Sequence, residues 1–304
     1  MRIVLVGAVE SSRVALDSLA AAGLGPSLVV TLPPDAAGRH SDFVDLGGAA
    51  RASGARVHYA TDVNSGPTLE AIRREAPDLC LVIGWSQICA RPFLDVPRIG
   101  CLAFHPSALP RLRGRAVIPW TILLDERTTG STLFWLDEGT DSGPIALQRT
   151  FALAPDETAR SLYSKHVANL AAMLPKAVAQ VAAGTANRTE QDAADASFCA
   201  KRTADDGAID WREPAGRILR LIRAVGDPYP GAFSHWNGER LHIDAAELAS
   251  DSHRYIGLPG QVQRHSPSDF SVRCGDGQCI TIRKWRSQSG KPPRLHDTLG
   301  RQLQ

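Results

Sequence analysis

The sequence has no long apolar run, no CxxC cysteine pair and almost no net charge. A membrane-spanning helix needs about 20 consecutive apolar residues, so we expect no membrane partner. The start, MRIVLVGA, is too short for a secretory signal and lacks its cleavage site, and it predicts a first buried strand. The net charge of +2 argues against a large basic surface and therefore against a nucleic-acid partner.

The six cysteines argue against a structural metal site. Because none belongs to a CxxC pair, we expect no structural zinc site and no other metal. Cys80 and Cys101 lie in apolar runs and are predicted to be small core residues, which fits a reduced, cytoplasmic location. The length of 304 residues, with 43% apolar and 22% charged residues, predicts an ordinary globular protein of two domains.

Strand and helix patterns alternate through the first part of the chain. Near-continuous apolar runs predict strands that a parallel sheet buries on both faces. Such strands are expected at 3–7, 27–32, 57, 79–85, 101–105, 131–137 and 146–153, and helices at 11–22, 43–52, 68–75 and 158–184. The alternation predicts a doubly wound, mostly parallel α/β sheet, which binds ligands beyond the carboxyl ends of its strands.

Composition divides the chain into three parts. Residues 1–184 carry the α/β pattern, and the polar stretch 185–206 is predicted to be a linker. In 207–304, short strands alternate with turn residues after a short helix at 213–224, which predicts a small β-barrel domain.

The most informative segment is FHPSALPRLRG at 104–114. His105 ends a predicted buried strand, and prolines and a glycine then fix the following loop. A lone histidine of this kind is more often structural than catalytic. Its place at the carboxyl end of a parallel strand favours the catalytic interpretation.

A second segment, LDEGTDSGP at 136–144, places three acids directly after a strand. They could form a solvated turn, or Asp141 could orient His105 and raise its basicity. Both residues are predicted to follow neighbouring strands at the same edge of the sheet. If the second interpretation holds, His105 and Asp141 lie within direct or one-water hydrogen-bond reach.

Together these segments resemble the folate-dependent formyltransferase family, which includes methionyl-tRNA formyltransferases, glycinamide ribonucleotide transformylases and amino-sugar N-formyltransferases. The family shows an Asn-x-His strand end, a Ser-Leu-Leu-Pro-like loop and an Asp-x-Gly-Pro-like turn. Residues 105–114 and 137–145 match these features closely. Residues 201–203, 207–211 and 222–233 resemble the two-domain members, so the resemblance spans nearly the whole chain.

The resemblance implies a Rossmann-like domain that carries the site, an OB-like C-terminal barrel and 10-formyltetrahydrofolate as the formyl donor. It implies that His105 stabilises an oxyanion or relays a proton, and that Asp141 holds His105 and assists proton removal from an amine. The folate-binding residues that it implies are Trp85, Ser86, Gln87, Ile88, Ser107, Leu109, Pro110, Gly139, Thr140 and Asp141.

One position departs from the family. Ala103 stands where the asparagine is normal, and alanine has no side-chain donor. Losing one oxyanion donor typically costs about 10²–10³ in rate. Gln87 or Ser86 could supply a donor from the neighbouring strand end, or both could only line the folate pocket. Alternatively, the chain is a formyltetrahydrofolate hydrolase or a folate-binding protein without turnover.

The acceptor amine is constrained mainly by charge. Methionyl-tRNA formyltransferases usually carry a basic insertion in the loop that is PPDAAGRHSD at 33–42 here, where only Arg39 and His40 are basic. From Asp205 onward, fourteen Lys and Arg stand against twelve Asp and Glu. Because tRNA needs many phosphate contacts, we expect a small-molecule amine. A nucleotide-linked amino sugar is the first choice, a hydroxylated ornithine and methionyl-tRNA are alternatives, and a homodimer is compatible with the sequence.

A dinucleotide cofactor is not expected. The residues after Gly7 lack the GxGxxG pattern of dinucleotide-binding turns. Ser11 or Ser12 is predicted to cap the first helix, whose N-terminus could contact an anion.

Overall fold

The computed structural model describes residues 1–39 and 41–300 and divides the chain into two compact units. The first unit consists of Met1–Val117, Arg127–Leu153 and Tyr163–Ala200, and the second of Ile118–Glu126, Ala154–Leu162 and the chain from Lys201 onward. The predicted linker is therefore part of the first unit up to Ala200, while the bounds 1–184 and 207–304 stay a prediction.

The strands in the described ranges are β1 (Ile3–Val6), β2 (Leu28–Thr31), β3 (Arg56–Tyr59), β4 (Leu79–Val82), β5 (Gly100–His105), β6 (Arg113–Gly114), β7 (Thr128–Trp135), β8 (Ile145–Ala152), β9 (Phe198–Cys199), β10 (Ala232–Trp236), β11 (Glu239–Leu248), β12 (Val262–His265), β13 (Phe270–Arg273) and β14 (Cys279–Arg286). The helices are α1 (Glu10–Ala21), α2 (Gly47–Ala52), α3 (Gly66–Arg74), α4 (Arg91–Leu94), α5 (Val117–Leu123), α6 (Ala159–Ala182) and α7 (Ala215–Val225).

The main sheet of the first unit has the order β3-β2-β1-β4-β5-β7-β8. The first five strands are parallel, and β7 and β8 add an antiparallel edge. This confirms the predicted Rossmann-like, mostly parallel sheet. From the sequence, Asp141 is expected to follow a strand that ends at the same edge of the sheet as β5. Instead, β7 runs antiparallel to β5 and ends beside Leu102, near the start of β5, and not beside His105.

Helices cover both faces of this sheet, which explains the continuously apolar strands. Ile3 and Leu5 of β1 point into one core, beneath α1, α2 and α6, whereas Val4 and Val6 point into the other, beneath α3 and α4. Successive strand residues alternate between faces, so a strand buried on both sides needs apolar residues throughout. Because both faces of the sheet are covered by apolar cores, polar side chains can lie at the carboxyl ends of the parallel strands.

The second unit contains a five-stranded antiparallel sheet with the order β10-β11-β14-β13-β12. Leu241, Ile243, Ile280 and Ile282 are buried in it, and the amphipathic helix α7 buries Ile218 and Ile222. This confirms the β-rich C-terminal domain. Across the described residues, no helix combines the length and apolar character needed to cross a membrane.

Candidate active site

His105 is the last residue of β5, and its side chain lies on the same face as Cys101 and Ala103. It is only 5% exposed, and its Nε2 lies 2.7 Å from the carbonyl oxygen of Leu112. A carbonyl can only accept, so Nε2 carries a proton and donates it in this hydrogen bond. Nδ1 is therefore the ring nitrogen left for other partners.

Asp141 is that partner. Its Oδ2 lies 3.5 Å from Nδ1 of His105 and also accepts a hydrogen bond of 2.7 Å from the backbone N–H of Gly114. The predicted proximity is confirmed, but the expected reason is wrong. Because β7 runs antiparallel to β5, the loop 136–144 has to fold back to bring Asp141 to His105. Both ring nitrogens therefore face acceptor oxygens.

Gly114 allows this contact. It belongs to β6, which pairs in parallel with β9, and its φ is +98°. A Cβ at this position would lie 2.7 Å from the carbonyl oxygen of Cys199. Glycine is therefore needed for the chain to pass close to β9 while its N–H points at Asp141.

Sequence reasoning missed Gln191. It lies in the polar stretch predicted to be a linker, yet its carboxamide donates to the carbonyl oxygens of Asp141 and Gly143 at 2.9 and 2.7 Å. Neither a motif nor a periodic pattern marks this residue, because its partners lie about fifty positions away in the sequence.

The predicted folate-binding residues 85–88 follow β4. Trp85 is half-buried and packs against the core cluster that contains Val82, Ala103 and Phe134. Its indole N–H is inaccessible to solvent and has no acceptor among the described residues. Ser86 is exposed, and Ile88 is 67% exposed, which leaves an apolar side chain facing solvent beside the site.

The carboxamide of Gln87 is bound to the loop after β3 and not to β5. Its Nε2 donates to the carbonyl of Thr61 at 2.6 Å, and its Oε1 accepts from the N–H of Val63 at 3.0 Å. The expectation that Gln87 replaces the missing asparagine is therefore not supported. Gln87 joins the loops that follow β3 and β4.

Ala103 itself has apolar surroundings. Its register neighbours are Val82 on β4 and Phe134 on β7, and all three belong to one core cluster. Only 6% of Ala103 is exposed. The position is therefore built as part of the core, and it supplies no polar group to the site.

Three further predicted residues lie in the loop after His105. Ser107 is buried, and its hydroxyl donates to the carbonyl of Arg111 at 2.7 Å, which closes this loop on itself. Leu109 is also buried, and its carbonyl accepts from Gln148 at 2.9 Å. Pro110 follows through a cis peptide bond. These contacts brace the loop, and the assigned folate contacts stay a prediction.

Gly139 and Thr140 are exposed in the loop that carries Asp141. The hydrogen bond to Asp95 raises the pKa of Arg91, and the negative charge of Glu138, next to Gly139, adds to this effect. The contact of Gly139 and Thr140 with folate stays a prediction.

The N-terminus of α1 has no free N–H group for an anion. The N–H of Glu10 donates to the carbonyl of Asp42, and that of Ser11 to the hydroxyl of Tyr163, each at 3.1 Å. The hydroxyl of Ser12 accepts from the N–H of Val9 and donates to the carbonyl of Ile83. The N-cap is therefore Val9 and not a serine, Ser12 satisfies the N–H of Val9 from the third position of the helix, and the N–H groups that could have contacted an anion are already bonded.

A cavity of about 380 Å³ lies at the carboxyl ends of β2 and β3, in the first unit. Its described lining consists of Pro33, Asp35, Ala36, Gly38 and Thr61. His40 and the side chain of Arg39, the two basic groups of this loop, lie outside the described residues. Within residues 1–39 and 41–300, no three His, Cys, Asp or Glu side chains are grouped as a metal site would require.

Comparisons with known proteins match both parts of the chain to one family. The formyl transferase family profile matches residues 1–178, and the profile of the formyl transferase C-terminal domain matches residues 201–302. The chain is 32% identical over 279 residues to a methionyl-tRNA formyltransferase of Agathobacter rectalis, covering 91% of this chain and 89% of that protein. It is 32% identical over 298 residues to that of Geotalea uraniireducens, covering 97% and 93%.

Among solved structures, the chain resembles an N-formyltransferase from Helicobacter canadensis in complex with folinic acid and dTDP-3-aminofucose. The TM-score is 0.68 at 19% identity, and the match covers 93% of this chain and 99% of that one. A methionyl-tRNA formyltransferase from Clostridium thermocellum gives a TM-score of 0.61 at 17% identity and covers 83% and 95%. The structural likeness shows the fold, and the profile and sequence matches show that the chain belongs to the formyltransferase family of folate-dependent enzymes.

Proposed function

We propose that the protein transfers a formyl group from 10-formyltetrahydrofolate to the amine of a small molecule, with a nucleotide-linked amino sugar as the first candidate. The observation that carries the proposal is the His105–Asp141 pair, 3.5 Å apart at the carboxyl edge of the sheet. Formyl transfer needs a charge-stabilising group and a proton relay at one carbon, and this pair can supply both.

The reaction forms one bond and breaks another. The amine nitrogen attacks the formyl carbon, the carbonyl oxygen takes up negative charge, and the bond from that carbon to the folate nitrogen then breaks. A protonated His105 stabilises the charged oxygen. The proton that leaves the amine passes through Asp141 and His105 to the departing folate nitrogen, so the enzyme ends in its starting state.

Residues beside this pair suit a flat heterocycle. Trp85 and the exposed Ile88 offer apolar surface on one loop, and exposed backbone at Gly139 and Thr140 lies on the other. A mostly apolar wall with a few polar groups is typical of small-molecule sites. This supports a folate donor that contacts both loops.

The acceptor is the least constrained part. Of the described residues that line the cavity beside β2 and β3, one is charged, and it is the acid Asp35. Among the described residues, this lining has no basic side chain to pair with the many phosphates of a long RNA. This supports a small molecule, and the predicted cytoplasmic location and homodimer stay predictions.

Formylation of methionyl-tRNA is the second candidate. It is favoured by relatives of that name at 32–33% identity over 91–97% of this chain. Ala103 motivates two further outcomes, which are hydrolysis of the folate donor and folate binding without turnover.

One assay separates these functions. Wild-type protein is incubated with 10-formyltetrahydrofolate in separate reactions, each with one kind of acceptor: a nucleotide-linked amino sugar, a hydroxylated amino acid or methionyl-tRNA. A further reaction contains no acceptor, and products are identified by mass spectrometry. We expect a formylated small molecule that the His105→Ala variant does not produce. A formylated tRNA supports the second candidate, formate without an acceptor product indicates a hydrolase, and folate binding without either product indicates a binding protein.

A further inference from the structure

Asp141 has a backbone conformation that side-chain-bearing residues rarely adopt. Its φ is +50°, in the left-handed region. Aspartate visits this region more often than most residues, and surrounding contacts help to hold it there. Asp137 binds the N–H of Gly139 and the hydroxyl of Ser142 within the loop, and Gln191 binds its backbone from outside, because Nε2 of Gln191 donates to the carbonyl of Asp141 at 2.9 Å and to that of Gly143 at 2.7 Å. One carboxamide therefore ties together the backbone on both sides of Ser142.

Arg113 fixes the orientation of that carboxamide. Its Nε and Nη2 donate to Oε1 of Gln191 at 3.1 and 2.8 Å. A guanidinium can only donate, so the Gln191 atom that faces it must be the oxygen, and the NH₂ group must face the carbonyls. Arg113 is 6% exposed, so this fork lies in the protein interior.

The same segment also contacts both groups of the catalytic pair. Leu112 accepts the hydrogen bond of His105, and Gly114 donates to the carboxylate of Asp141, each at 2.7 Å. Arg113 lies between these two residues in the chain. The contacts thus form a closed ring around the pair. They run from residues 112–114 through Gln191 to loop 136–144 and back through His105 and Asp141.

We propose that Gln191 is a positioning residue for Asp141, oriented by Arg113, and that it acts by holding the loop 136–144 in the conformation that brings the carboxylate to His105. The expected effect of Gln191 on catalysis rests on the proposed function. Gln191 contacts the backbone of Asp141 and Gly143 and the guanidinium of Arg113, so its effect passes through Asp141.

The test variant is Gln191→Glu. Glutamate keeps an acceptor for Arg113 but has no N–H to donate, and its second oxygen would face two carbonyl oxygens. We expect kcat for formyl transfer to fall by about 100-fold, the loss that a small misplacement of a catalytic group causes. The KM for 10-formyltetrahydrofolate should change less than kcat does, because Gly139 and Thr140 lie on the displaced loop whereas the predicted folate-binding residues 85–88 do not.

Two comparisons separate positioning from a general structural effect. Gln261→Glu introduces the same change in the second unit, where Oε1 only accepts from the N–H of Leu258, and its kcat should equal that of wild type. In the double variant Gln191→Glu/Asp141→Asn, the loss should be no larger than with Asp141→Asn alone, since Gln191 acts through Asp141. If Gln191→Glu does not fold, Gln191→Met replaces it in both comparisons.

A crystal structure of the Gln191 variant gives a readout that does not depend on activity. We expect Asp141 to leave the left-handed region and its Oδ2 to move beyond 3.5 Å from Nδ1 of His105. An unchanged Asp141, an unchanged kcat or additive losses in the double variant would overturn the proposal. If wild type formylates no amine, the proposed function fails, and the crystal structure still decides the role of Gln191.

Discussion

The His105 ring faces the carbonyl of Leu112 at Nε2 and the carboxylate of Asp141 at Nδ1. Because the carboxylate lies directly beside the ring, we expect both His105 and Asp141 to matter for catalysis. His105→Ala removes the proton carrier, and Asp141→Asn keeps an oxygen for the N–H of Gly114 but removes the negative charge beside Nδ1. We expect each variant to lower kcat by about 10²–10⁴-fold with the true acceptor. The measurement is steady-state formyl transfer.

Folate affinity provides the control for this pair of variants. The predicted folate-binding surface consists mainly of the loops at 85–88 and 139–140, so the Kd for tetrahydrofolate should change little in either variant. Near-wild-type rates in either one would show that the catalytic assignment is wrong.

Among the elements near the site, the short strand β6 requires glycine at position 114. Gly114→Ala combines a φ of +98° with a Cβ only 2.7 Å from the carbonyl of Cys199. Gly238→Ala is a matched control, because its φ is +79° and nothing lies within 4 Å of the added Cβ. Left-handed strain costs about 1–2 kcal/mol, and only Gly114→Ala adds a clash.

We therefore expect Gly114→Ala to lower the free energy of unfolding more than Gly238→Ala does, and to lower kcat as Asp141 loses its backbone donor. Urea unfolding and transfer assays on both variants measure these effects. Equal losses in the two variants would mean that β9 moves aside without consequence for the site.

In the second unit, the β11–β14 pair contains an ion pair with a predictable pH dependence. The bidentate hydrogen bonds from Arg286, at 2.8 and 2.9 Å, lower the pKa of Asp244. A carboxyl group with a lowered folded-state pKa stabilises the fold above its unfolded-state pKa, and this contribution disappears as the pH decreases through the folded-state pKa. Because Arg286 is 59% exposed, solvent screening limits the contribution to less than about 1 kcal/mol.

Asp244→Asn should thus lower the free energy of unfolding slightly at pH 7 and have a smaller effect near pH 3. Urea unfolding of wild type and variant at both pH values tests this. A difference that grows as the pH decreases would contradict the assigned ion pair.

For the whole molecule, the nearly balanced charge predicts weak binding to tRNA. The chain has 34 Lys and Arg against 32 Asp and Glu, and many basic side chains already form ion pairs with acids. We expect a weak initiator tRNA interaction with a shallow salt dependence, because few phosphates can be neutralised. Filter binding at two salt concentrations, together with a formylation assay on charged methionyl-tRNA, measures this. Efficient formylation would favour the second candidate function.

The sequence by itself determined the α/β sheet, the β-rich second domain and the segments that carry His105 and Asp141. These features follow from local patterns, because apolar periodicity, turn residues and a short motif are properties of neighbouring residues. The same reasoning could not identify β6 and β9, which are too short to show a period.

Only the tertiary structure decided the direction of β7, the orientation of Gln87 and the role of Gln191. Apolar patterning fixes which residues are buried but not the strand with which each pairs or its direction. The carboxamides of Gln87 and Gln191 bind backbone groups 24 to 50 residues away, and such contacts leave no local signature. His105 and Asp141 meet because loop 136–144 folds back along an antiparallel strand, and long-range hydrogen bonds hold it there.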